Sequence, residues 1–109
     1  MENSPSPPLR FVVHYHDGIA QPHFDLMFEL ESGGKLATWR SPHWPPLPGD
    51  RLEKIADHRA DYLEYEGELS DGRGRVRRIV RGIYRRTEKS REWSVEFIDP
   101  EFLCVELPA

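Results

Sequence analysis

A single cysteine, Cys104, is all the chain contains, so no internal disulfide can form and thiolate-rich zinc sites are excluded. Its neighbours Phe102, Leu103 and Val105 mark it as a buried structural thiol rather than a nucleophile. No apolar run approaches the roughly 20 residues that a membrane span needs, and no membrane partner is expected. The N-terminus lacks the basic start and apolar stretch of a signal peptide, which makes a cytoplasmic location the expectation. There is no glycine-rich strand-to-helix motif to suggest a nucleotide cofactor, and there are no internal repeats. An excess of positive charge is missing too. The net charge of −4 argues against broad coating of nucleic acid, which depends on Lys and Arg neutralising phosphates.

What the 109 residues offer is enough apolar content for one modest core in a globular domain. Residues 1–9, rich in Ser and Pro, are expected to form a loose tail, and residues 10–109 the domain. The charge is unevenly spread. The stretch from Arg73 to Arg91 carries nine basic residues and one acid, Glu88. A local basic face on an acidic protein fits contact with a nucleic-acid end or a short phosphate track, although a solvated strand face has the same composition.

Strands dominate. Residues 10–16 are rich in β-branched and aromatic side chains, and residues 23–31 alternate with period two. In the latter, Phe24, Leu26, Phe28 and Leu30 point one way while His23, Asp25, Met27 and Glu29 point the other. Gly33-Gly34 turns the chain into a hairpin partner, residues 35–39. The stretch 41–49 has four prolines and is expected to be an ordered loop. Residues 51–65 fit either a short helix capped by Asp50 or two strands with a turn at Asp57-His58. Residues 75–86, 92–99 and 101–107 alternate as strands. Trp39 and Trp93 read as core, whereas Trp44 either covers the barrel mouth or stacks on a base. The fold class expected is mainly β, a small closed or partly closed β-barrel.

His23-x-Asp25 puts an imidazole and a carboxylate on one strand face, roughly 7 Å apart at Cβ, where both can converge on one cation. His16, at the end of the preceding strand, is placed to supply a third ligand. His14 shares its face and serves either as support or as an alternative ligand. A His₂Asp set with open positions suits Mn²⁺, Fe²⁺ or a catalytic Zn²⁺, and a phosphate substrate would favour manganese. The competing view is a half-exposed polar sheet face with no metal.

These residues resemble a known family. The run from Phe11 to Trp39, with His16, His23-Phe24-Asp25 and Leu36 to Trp39, is similar to the 3′-phosphoesterase domain of bacterial DNA ligase D. The similarity continues through Asp57-His58, Tyr62 and Glu66-Gly67 and through residues 72–84. It also extends to short stand-alone versions of that module. The resemblance implies a compact barrel with a metal in a groove, and Mn²⁺-dependent removal of a 3′-terminal ribonucleoside or 3′-phosphate from a DNA end. It implies His16, His23 and Asp25 as metal ligands, His58 as the catalytic histidine and Tyr62 as the active-site tyrosine. Without it, His58 reads as a turn residue capping a neighbouring carbonyl, and Tyr62 as a wall residue packed with Leu63 and Tyr65.

The chain also departs from the family pattern. The loop between His16 and His23 is one residue longer. Met27 stands where the family has an arginine aimed at the scissile phosphate, and a thioether neither donates hydrogen bonds nor neutralises charge. His43 takes the place of a lysine, Ala56 that of a glutamate, and Arg51 corresponds to a family arginine only across a one-residue gap. Arg40, Arg73, Arg75 and Arg77 are candidates to replace the lost cation. Three readings follow. The first is a metal-dependent 3′-phosphodiesterase or phosphomonoesterase acting on nucleic-acid 3′ ends in DNA repair. The second is a catalytically weakened module that keeps fold and metal and binds such an end or a repair protein. The third is a phosphoesterase for a small phosphorylated molecule. A monomer is expected.

Overall fold

In the computed structural model the described residues are 8–89, 92–99 and 105–107, with side chains described for 8–85. They form an antiparallel sheet of eight strands: β1 (Leu9–Asp17), β2 (His23–Glu29), β3 (Leu36–Ser41), β4 (Glu53–His58), β5 (Gly67–Glu68), β6 (Arg75–Lys89), β7 (Glu92–Asp99) and β8 (Val105–Leu107). The spatial order is β4-β3-β2-β1-β6-β7-β8. The long β6 pairs with β1 along one edge, and with β5 and then β7 along the other. No ladder joins β4 to β8 among the described residues, so the mainly-β expectation holds in its partly closed form. No helix among them is long and apolar enough to cross a membrane.

Alternation decides which residues lie where. Phe11, Val13, Leu26, Phe28, Ala37, Trp39 and Tyr84 form one buried cluster, with Phe28 packed edge-on against both Trp39 and Tyr84. Burying each large side chain contributes roughly 1.5–3 kcal/mol, and this is the larger of the two apolar clusters among the described residues. The intervening positions of β1, β2 and β3 face the other way. There Val12, Met27, Leu36 and Leu63 form a second, smaller buried cluster beside His14, Asp25 and Glu29. Leu30 lies just past β2 and is exposed, because the turn begins there.

The β2–β3 hairpin forms as expected around Gly33, whose φ of +76° suits glycine. The Leu30 amide donates to the Lys35 carbonyl at 3.0 Å. The proline stretch is a loop after Ser41, with a cis Trp44–Pro45 peptide, and Trp44 packs partly buried against the aromatic cluster. In residues 51–65 no helix starts at Asp50, and of the two-strand alternative only the first strand forms. Glu53–His58 is a strand, but the chain then makes a short 3-10 helix at Ala60–Leu63 instead of a second strand. β1 begins at Leu9. The rest of the expected tail, residues 1–7, and Cys104 lie outside the described residues, as does the side chain of Trp93.

Candidate metal centre

The register of β1 and β2 builds the site. His16 pairs with His23 and His14 with Asp25, so all four side chains stand on the smaller-cluster face of the sheet. Residues 18–22 form the loop that joins β1 to β2 in this register. His16, His23 and Asp25 each present a ligand atom within 4.8 Å of the other two. His23 Nε2 is 3.5 Å from Asp25 Oδ1, and His16 Nδ1 is 3.9 Å from Asp25 Oδ2.

Each imidazole is oriented from behind. The outer nitrogen of His16, Nε2, donates to the Arg73 carbonyl at 2.6 Å, and His23 Nδ1 donates to the Gln21 carbonyl at 3.0 Å. A proton held on each outer nitrogen makes the inner nitrogen the one that can ligate a metal, the arrangement that fixes a metal-ligating tautomer. His23 Nε2 and Asp25 Oδ1 are buried and have no hydrogen-bond partner. Such groups cost free energy unless something satisfies them. Two imidazoles, one carboxylate and these orphaned atoms fit a divalent cation, and the cluster can hold one.

The approach of the β5–β6 loop explains the His16 contact. Gly74 sits at φ +84°, and a Cβ there would lie 2.3 Å from the Asp17 carbonyl oxygen and 3.3 Å from His16 Nε2. Only glycine lets this loop come close enough for the Arg73 carbonyl to reach the imidazole.

The cluster lies in a cleft of about 380 Å³ whose walls include Arg40, His58, Tyr62, Leu69 and Arg73, with His14 and Met27 also in the lining. Arg40 is opposite Asp25 on β3, and its Nε lies 3.5 Å from Asp25 Oδ1. His58 donates from Nδ1 to the Ala56 carbonyl at 3.0 Å and stacks edge-on with Tyr62, so it caps a carbonyl and lines the cleft at once. Met27 is 1% exposed and belongs to the apolar cluster. His14 is equally buried and forms a backbone hydrogen bond with Tyr62; burial pushes its pKa down to about 4, so its ring is neutral. Its Nε2 has no partner.

No family model matches the chain. Among curated proteins it is similar to the multifunctional non-homologous end joining protein LigD of Pseudomonas aeruginosa, with 34% identity over 67 residues. The match spans 59% of this chain and only 8% of that protein.

Two of the expected phosphate contacts are close to the centre and one is not. Arg40 borders both the cleft and a neighbouring groove of about 660 Å³, which Arg51 also lines. His43 is in neither. Its Nδ1 faces Asp50 at 2.9 Å in the proline loop. Arg75 is committed to Asp17 at 3.0 Å, and Arg77 lies over the Tyr15 ring. Sequence reasoning missed the carbonyls of Gln21 and Arg73, since every residue has one. Gly72 and Gly74 flanking Arg73 were the available signal of a tight, close-packed turn.

Proposed function

We propose that the protein is a metal-dependent 3′-phosphoesterase-like protein that acts on nucleic-acid 3′ ends in DNA repair, with Mn²⁺ the favoured ion. The observation that carries this is the His16–His23–Asp25 cluster, its inner nitrogens freed for a cation by backbone carbonyls, in a cleft that also presents Arg40 and His58. The similarity to part of LigD supports the substrate class. When bound, a divalent ion would polarise a phosphate oxygen or activate water for attack.

The chain's own groups would do the rest. His16, His23 and Asp25 hold the ion. Arg40 offers a guanidinium to phosphate oxygens on the side where Met27 offers none. His58 lines the cleft with Nδ1–H committed to Ala56, which leaves Nε2 as the atom that, once protonated, would deliver a proton to the leaving oxygen. Tyr62 would hydrogen-bond a phosphate oxygen, and Arg51 would meet the phosphate chain in the adjoining groove.

The test is incubation with Mn²⁺ and a labelled primer ending in a ribonucleotide or a 3′-phosphate, with Asp25→Ala as the control. Conversion to a 3′-hydroxyl end, lost in the variant, is the expected result. The second reading, end binding without turnover, is favoured by the buried Met27 and by the commitment of His43 to Asp50. No product with any of several metals, together with measurable end binding, would establish that reading instead.

A further inference from the structure

Past Tyr62 the cleft opens into another groove, of about 430 Å³, which shares Tyr62, Leu69 and Arg73 with it. Its aromatic wall is Tyr65, a residue 39% exposed whose ring stands edge-on to Tyr62 with centroids 5.9 Å apart. Tyr65 is fixed at both ends. Its hydroxyl donates to the Glu68 carbonyl, and its amide donates to the Asp61 carbonyl at 3.1 Å. The Arg59 guanidinium lies over the Tyr62 ring at 5.9 Å. Arg73 is held by the Ser70 carbonyl and hydroxyl, both at 2.9 Å.

The chemistry of this groove differs from that on the other side of the centre. Two cations, Arg59 and Arg73, are balanced by two carboxylates, Asp61 and Glu68. A run of phosphates would be repelled by those carboxylates, whereas an uncharged base and sugar would not. A pre-oriented aromatic ring stacks on a base at little entropic cost. Carboxylates and the Ser70 hydroxyl accept from base amino groups and sugar hydroxyls.

We propose that the Tyr65 groove is a nucleoside subsite, which takes the base and sugar esterified to the phosphate at the His16–His23–Asp25 centre. It rests on the phosphoesterase reading for the phosphate's position and adds where the nucleoside lies. The groove lined by Arg40 and Arg51, where Glu53 is the one carboxylate against two guanidinium groups, then faces the rest of the strand.

Calorimetric titration of the full chain, loaded with Mn²⁺, tests this with adenosine 5′-monophosphate and inorganic phosphate as probes. The nucleotide is expected to bind about tenfold more tightly than phosphate, the order that one stacked base supplies. Tyr65→Ala should erase that preference and leave phosphate affinity unchanged, while Tyr65→Phe should keep it. Tyr65→Leu retains bulk without the aromatic face and tests the same loss if the alanine variant does not fold. Equal affinities in the native protein, or a preference that survives in folded Tyr65→Leu, would overturn the subsite alone. Failure of both probes to bind would overturn the phosphoesterase reading and the subsite with it.

Discussion

Two buried carboxylates, Asp25 and Glu29, stand four residues apart on the same face of β2 and have opposite surroundings. Glu29 is saturated. It accepts from Arg10 Nη2 at 2.8 Å and Nε at 3.2 Å, from the Arg10 amide at 2.9 Å and from the Gly33 amide at 2.9 Å. It thereby ties the start of β1 to the β2–β3 turn, and Tyr84 adds a bond from β6 to its backbone carbonyl at 2.6 Å. Asp25 has ion-pair neighbours but no hydrogen bond at Oδ1. A fold that satisfies one acid so fully has not failed to find partners for the other by accident. An open valence of this kind can take a cation, and the comparison separates a carboxylate tied into the fold from one whose Oδ1 has no hydrogen bond.

The largest expected effect comes from breaking the closed side. Glu29→Ala strands the Gly33 and Arg10 amides and removes the buried partner of a half-exposed arginine, and should cost roughly 2–4 kcal/mol. Chemical denaturation would measure it, with or without metal. The same carboxyl sets an acid limit. Burial alone would raise its pKa, but the Arg10 side chain and the Arg10 and Gly33 amides outweigh burial and lower it. Its contribution to stability is therefore complete above the ordinary glutamate value of about 4.3 and is lost as pH falls through the depressed folded value. In Glu29→Gln that acid-side decline should flatten.

Breaking the open side should act only through the metal. At free Mn²⁺ a hundredfold above its Kd, the native protein should gain about 2.7 kcal/mol of stability, seen as a higher Tm. Asp25→Asn should leave the metal-free Tm close to native and abolish that gain. If Asp25→Asn unfolded the metal-free protein as Glu29→Ala does, the two acids would share a structural role, and the contrast would collapse.

Much of this was legible in the residues. Period-two alternation in β2 sorted Phe24, Leu26 and Phe28 from His23, Asp25 and Met27, and Gly33-Gly34 marked the hairpin. His23-x-Asp25 with a histidine on the strand before it located the cluster, because a strand's geometry fixes which side chains are neighbours. Residues 51–65 were not legible, since their apolar spacing fits helix and strand alike and tertiary pairing with β3 decides the outcome. Arg40 could be named as a replacement cation, but its position opposite Asp25 depends on the β2–β3 register. Tyr65 was expected only to pack, yet a partly exposed tyrosine offers an aromatic face as well. Backbone carbonyls that orient His16 and His23 leave no trace in residue type at all.

The smallest expected effect sharpens the contrast with a third acid. Asp50 also faces a histidine, His43, at 2.9 Å, closer than Asp25 lies to His23. Distance alone would make it the better candidate site. But Asp50 also accepts from the Leu47 amide at 2.7 Å, which together with His43 holds its carboxyl below the usual range, and the pair lies in an exposed proline loop with no third ligand among the described residues. Its valences are met by the loop it closes. His43→Ala should therefore leave both the metal-free Tm and the Mn²⁺-induced rise unchanged within error. A tenfold or greater loss of metal or phosphate affinity would show that the loop reaches the centre. In that case His43 would act at the centre beside Arg40.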